Sequence, residues 1–185
     1  MKYRSFIAVN LPDDVKEKLG RILVKFRETN SNIKWVEPKN LHLTLHFLGN
    51  LDEEKLRKVA EILANVTGSY KSFWLKIDKF GCFPNEIRPN IFFLSCEEEG
   101  GNTLADLQNQ LSHELVRLGI RIDFRPWKSH ITFGRLKTPR RIRIADSGLK
   151  NLKFRVKSID LMKSNLTPRG PIYNILKSFP LCPSL

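Results

Sequence analysis

Apolar positions along the chain recur at two spacings, and the change from one to the other marks out its elements. Arg4 to Val9 reads as a first strand centred on Phe6-Ile7-Ala8-Val9. Leu11-Pro12-Asp13-Asp14 then predicts a helix start, with proline early and acids in the first turn; Val15, Leu19, Ile22, Leu23 and Phe26 continue it as one stripe. Ile33 to Val36 predicts a short strand, Pro38-Lys39-Asn40 a turn, and Leu41 to Leu48 a strand ended by Gly49-Asn50. Asp52 is placed to cap a second helix with the stripe Leu56, Val59, Leu63 and Val66. Strands are expected over Phe73 to Phe80 and Ile91 to Leu94, across the turn residues Phe83-Pro84-Asn85. After the break Gly100-Gly101-Asn102, a third helix carries Leu104, Leu107, Leu111, Leu115 and Leu118 and stops at Gly119. A strand over Arg121 to Phe124, a proline turn and further strands over His130 to Phe133, Phe154 to Met162 and Ile172 to Leu176 complete the pattern. Helices and antiparallel-looking strands without strict alternation predict an α+β fold.

Within this pattern one frame occurs twice. His42-Leu43-Thr44-Leu45 and His130-Ile131-Thr132-Phe133 each follow a proline by four residues, Pro38 and Pro126. Each is preceded by a helix, a short strand and a turn, so an internal duplication within a single 1–185 unit explains the order most simply. Side chains alternate along a strand, so His42 and Thr44 share one face, and His130 and Thr132 another. Leu43, Leu45 and Phe47 are expected on the buried side of the first strand, and Ile131 and Phe133 on that of the second.

Charge adds a partner class. The formal net charge is +13, and from Arg121 onward 15 Lys and Arg face three acids, so nearly all the excess lies in the last third. Such a field attracts a polyanion and speeds its arrival. Arg140, Arg141 and Arg143 are the expected centre of a basic track for such a polyanion. Hydrophobic content of 41% with 28% charged residues is ordinary for a globular protein, and no apolar run reaches the ~20 residues that span a bilayer. Three cysteines without paired spacing, and an N-terminal stretch without an apolar signal region, lead us to expect a cytoplasmic monomer with no membrane partner.

Two opposed imidazoles on paired strands suit in-line displacement at phosphorus. One removes a proton from the attacking oxygen while the other protonates the leaving oxygen. Threonine hydroxyls and cations can hold the non-bridging oxygens. A metal site is the competing use of histidine, since alternation puts His42 and His46 four apart on one strand face. Zinc needs three or four ligands, and no Cys or acid lies within a few residues of either, so no metal is expected and His46 is read as a rim residue. His113 falls off its helix's leucine stripe and is read as solvated.

Trp35-Val36-Glu37-Pro38-Lys39-Asn40-Leu41-His42-Leu43-Thr44-Leu45-His46-Phe47-Leu48-Gly49 and His130-Ile131-Thr132-Phe133-Gly134-Arg135 resemble the paired motifs of the two-histidine (2H) phosphoesterases. Within them, the chain is most similar to the RNA 2′,3′-cyclic phosphodiesterases, long called 2′-5′ RNA ligases. The opening Arg4 to Pro12 and the closing Ser164, Leu166, Gly170, Tyr173 and Phe179-Pro180-Leu181 carry the resemblance nearly end to end. It implies a LigT-like fold of two pseudo-symmetric lobes of antiparallel sheet, helices outside and a central cleft, with no cofactor. It implies hydrolysis of a 2′,3′-cyclic phosphate at an RNA 3′ end, tRNA fragments included, to a 2′-phosphate. His42 would be the proton donor and His130 the proton acceptor, with Thr44, Thr132 and Arg135 on the phosphate. Weak ATP-independent 2′-5′ ligation would be the reverse reaction. Strict alternation puts Arg135 opposite His130, so either Gly134 permits a bulge or the strand has ended there. The rivals are a phosphoesterase for a small cyclic nucleotide and a non-catalytic RNA-binding module, and neither histidine nor threonine has been lost as the latter would allow.

Overall fold

The computed structural model describes residues 1–30, 32–136, 149, 152–168 and 170–183. Arg140, Arg141 and Arg143 lie outside the described residues. Among those described, nine strands and three helices run in the order β1 (Tyr3–Asn10), α1 (Asp13–Thr29), β2 (Ile33–Trp35), β3 (His42–Leu51), α2 (Glu53–Thr67), β4 (Phe73–Phe83), β5 (Ile91–Glu98), α3 (Thr103–Arg117), β6 (His130–Leu136), β7 (Lys153–Val156), β8 (Ser158–Thr167) and β9 (Gly170–Pro180). A 3-10 turn, Pro38–Asn40, leads into β3. The fold is α+β: one curled antiparallel sheet in the order β7-β4-β5-β6-β3-β1-β8-β9, with β2 added to β6.

The two histidine strands stand side by side at the middle of that order. They are joined by one antiparallel pair, Leu43 with Ile131, with three strands beyond each of them. The helices form where the stripes predict. Asp52 accepts from the Lys55 backbone N–H at 2.9 Å to cap α2, and Pro12 opens α1 ahead of Asp13 and Asp14. Their buried stripes, including Leu19, Leu23, Val59, Leu63, Leu107 and Leu111, share one core with Leu43, Leu94, Ile131 and Leu161 from the sheet. One face of the sheet is therefore sealed by helices. The other carries no helix among the described residues, and holds a second, small cluster of Phe6, Ala8 and Met162 beneath Tyr173.

Several expectations are corrected. Arg121 to Phe124 is not a strand; the Asp123 carboxylate accepts from the Arg125 backbone N–H at 3.1 Å, a local bond that competes with a ladder, and Phe124 is exposed. The expected Phe154 to Met162 strand breaks at Lys157 into β7 and β8, which join opposite ends of the sheet. Strict alternation in β3 also fails. Between its pairings with Ile7 and Ala8, β3 holds an extra residue, Leu45. The bulge places Leu45 and His46 consecutively inward and turns Phe47 outward. Phe47 is thus 64% exposed rather than in the core, and His46 is buried at 4% exposure rather than at the rim. Its Nε2 lies 3.1 Å from the Gln108 carbonyl and 3.2 Å from Ser112 Oγ, tying β3 to α3 on the face away from His42. His113 is exposed, as read from the stripe.

Candidate active site

His42 and His130 open their strands at equivalent points, and each ring is held the same way. Nδ1 of His42 donates to the Asn40 carbonyl at 2.7 Å, and Nδ1 of His130 to the Lys128 carbonyl at 2.6 Å. A carbonyl only accepts, so both Nδ1 atoms carry hydrogen and both Nε2 atoms are left for exchange. Each ring also rests against two aromatic edges or faces. His42 meets Phe6 at 5.0 Å and Tyr173 at 5.1 Å; His130 meets Phe83 at 5.2 Å and Phe93 at 5.5 Å. Phe83 and Phe93 stack on each other at 4.2 Å. Phe93 can lie flat because Gly81 is below it: a Cβ there would come within 2.5 Å of the ring.

The antiparallel pair Leu43–Ile131 sets the relation of the two motifs. Continuing that register puts His42 toward Thr132 and Thr44 toward His130. Both threonines are half-buried on the open face beside the histidines. Trp127, in the approach to His130, donates its indole N–H to the Thr44 carbonyl at 3.2 Å, which ties the second motif to the first where the strands part. The floor is polar next to His42: Asn10, its partner across β1, donates to Asp160 Oδ2 at 2.7 Å.

Arg135 reaches this face through a second bulge. Pairing of β6 with β5 passes from Thr132–Phe93 to Gly134–Phe92, leaving Phe133 extra; Phe133 and Gly134 are both buried, and Arg135 turns outward. Gly134 is required by its neighbours, since a Cβ would lie 2.7 Å from Ile33 Cγ2 and 2.9 Å from Trp35 Cε3. The two bulges fall at the same place in the two frames. Phe47 on one wall therefore answers Arg135 on the other.

Burial lowers the pKa of both histidines, and the hydrogen bonds to Asn40 and Lys128 oppose it. Positive charge lowers them further: Lys16 of α1 and His130 act on His42, and Arg135 acts on His130. Arg135 and Arg4 likewise act on the Tyr173 hydroxyl, whose pKa burial raises. All five residues singled out from the sequence thus meet on one face. Lys16, Asn10, Phe83 and Phe93 were not singled out, because nothing in local spacing brings α1 or the β4–β5 hairpin to a histidine. Among the described residues, no three of His, Cys, Asp and Glu converge as metal ligands.

Comparison with known proteins places this geometry. The model of the LigT-like phosphoesterases matches twice, over residues 9–93 and 94–173. A protein of Methanothermobacter thermautotrophicus named RNA 2′,3′-cyclic phosphodiesterase is 36% identical over 98% of this chain and 100% of its own. One of the same name from Archaeoglobus fulgidus is 38% identical over 95% of this chain and 99% of its own. A crystal structure of a Thermus thermophilus protein superposes with a TM-score of 0.84 at 33% identity, covering 96% of this chain and 97% of that one. With both copies of the family pattern present and both histidine frames facing one cleft, the chain belongs to the LigT-like phosphoesterases.

Proposed function

We propose that the protein is an RNA 2′,3′-cyclic phosphodiesterase that opens the ring at an RNA 3′ end to a 2′-phosphate. The observation that carries this is the pair of imidazoles with Nδ1 fixed by backbone carbonyls and Nε2 without a hydrogen-bond partner among the described residues. The names of the full-length relatives support the substrate class. His130 Nε2 takes a proton from water as the oxygen attacks phosphorus. His42, protonated, gives its Nε2 proton to the departing 3′ oxygen. Thr44, Thr132 and Arg135 hold the non-bridging oxygens, where charge must be stabilised. With a 5′-hydroxyl in place of water as the attacking group, the same transfers in the same direction give a 2′-5′ linkage without ATP. The acid and base here are both side chains, so the step asks for no cofactor and no metal.

The aromatic contacts have a mechanistic use. Rings packed on two sides restrict rotation of each imidazole, and restricted rotation keeps the two nitrogens in line with the phosphorus. They also exclude water, and that desolvation disfavours the charged imidazolium.

Two measurements test the proposal. Purified protein should convert an oligonucleotide ending in 2′,3′-cyclic phosphate to the 2′-phosphate product, with ring opening read by mass and the phosphate position by comparison with authentic 2′- and 3′-phosphate standards. A product carrying a 3′-phosphate would reverse the leaving oxygen and refute the assignment. The rate should also survive exhaustive dialysis against EDTA; loss restored by zinc or manganese would overturn the two-histidine chemistry.

A further inference from the structure

The open face does not end at the histidines. Along β1, starting at Asn10 beside His42, the residues on this face are Ala8, Phe6 and Arg4. Phe47 stands opposite Phe6 on β3, with the ring centroids 6.3 Å apart. Phe6 is buried and Phe47 is 64% exposed, so Phe47 offers a free ring face beside a closed one. Arg4 lies two residues farther along β1, roughly 6–7 Å at strand rise. It is exposed and makes no ion pair among the described residues. Tyr173, edge-on to both His42 and Phe6, connects the two regions, and the charges of Arg4 and Arg135 both reach its hydroxyl.

A single exposed phenylalanine is ordinary on a protein surface. Three observations make this one different. Strict alternation would bury it with Leu43 and Leu45, and a bulge in the histidine-bearing strand turns it out. The equivalent bulge in β6 turns out Arg135, so this position faces the cleft on both walls. The exposed Arg4 guanidinium lies beside it, and its charge reaches back to the hydroxyl of Tyr173, whose ring packs on His42. An aromatic face with a cation beside it is the combination that binds single-stranded nucleic acid with little sequence preference.

We propose that Phe47 and Arg4 form a subsite for the second nucleotide of a single-stranded RNA end. The base of that nucleotide stacks on Phe47, and Arg4 binds the phosphodiester joining it to the terminal, cyclic-phosphate nucleotide. This rests on the RNA-end reading above and adds to it a reason for preferring a chain over a mononucleotide. The near-symmetric site is thereby given a direction: guanidinium on the β6 wall, base platform on the β3 wall.

The test compares a diadenylate ending in 2′,3′-cyclic phosphate with 2′,3′-cyclic AMP. The wild-type ratio of kcat/KM should favour the dinucleotide, and Phe47→Ala should reduce that ratio by about 5–100-fold, the range of one base–aromatic stack. Arg4→Gln should reduce it by about 10-fold or more, as loss of one charge-assisted phosphate contact. Both losses should fall on KM rather than kcat, because these contacts exist before and during the reaction alike. Phe47→Trp should restore the ratio. A binding measurement keeps the two readings apart. Fluorescence anisotropy with a 5′-labelled single-stranded RNA ending in 2′-phosphate needs no turnover. Weaker binding by both variants supports the subsite even if the wild type were inactive on both cyclic phosphates. Binding equal to wild type, or a ratio unchanged in both variants, overturns it.

Discussion

Removing either imidazole lowers kcat/KM on a cyclic-phosphate RNA end by about 10²–10⁴-fold, and removing both lowers it little further. The expectation follows from the shared transition state: one proton leaves the attacking water while another reaches the leaving oxygen, so half of the pair is worth little alone. The pH profile separates the roles. His130 must be neutral, so it sets the acid limb; His42 must be protonated, so it sets the alkaline limb. Burial lowers both, and the charges of Lys16 and His130 lower His42 again. The bell in kcat/KM, which reports the free protein, therefore centres below about 6.5, the ordinary histidine value. A bound phosphate stabilises both imidazolium forms, so the bell in kcat lies at higher pH. His130→Ala should flatten the acid limb and His42→Ala the alkaline one. Thr44→Ala and Thr132→Ala should cost less, about 1.5–3 kcal/mol for a hydrogen bond to a charged acceptor. A His130→Ala protein with a wild-type rate and bell would mean the second frame is scaffold.

A methyl group at Gly134 is expected to damage both stability and rate, although no reacting atom is touched. Its Cβ would overlap Ile33 and Trp35, and overpacking of this kind costs about 1–3 kcal/mol. In a chain of this size that lowers Tm by about 2–12 °C. The strain would be relieved by moving β6 away from β2 or by losing the bulge, and either displaces Arg135 from the face of His130. Gly134→Ala should therefore lower kcat/KM in the well-folded temperature range as well as Tm. Ile33→Ala removes one of the two obstructing groups, so the double variant should lose less stability than the two singles added together. Wild-type Tm and kcat/KM in Gly134→Ala would show that the glycine is incidental.

Much of the site could be read from the chain because both frames are local. His42 with Thr44, and His130 with Thr132, share a face by alternation alone, and no distant contact disturbs the first three residues of either strand. Alternation stops being a guide one residue later. The bulges at Leu45 and Phe133 depend on the strands that pair with β3 and β6, so Phe47 and His46 were assigned to the wrong faces. For Arg135 the bulge was only one of two possibilities. The helices were legible because their stripes are long. The strand expected at Arg121 to Phe124 was not there, because Asp123 and Arg125 satisfy one another locally. Lys16, Phe83 and Phe93 could not have been found, since their place beside a histidine follows from the sheet order.

That order also bears on how the molecule comes together. β4 and β5 pair as sequence neighbours, whereas β1 pairs with β8, and Asn10 finds Asp160 across 150 positions. Contacts this distant close slowly, because a long loop must lose its freedom before any bond repays it. During synthesis the outer edge of β1 is unpaired until residues 158–167 have emerged, and an open edge rich in Phe, Ile and Val is a template for misassociation. Tyr173, which grips His42, arrives later still on β9. The His130 wall can be in place while the His42 wall is still an exposed β1–β3 pair, so competence for the reaction comes late in folding.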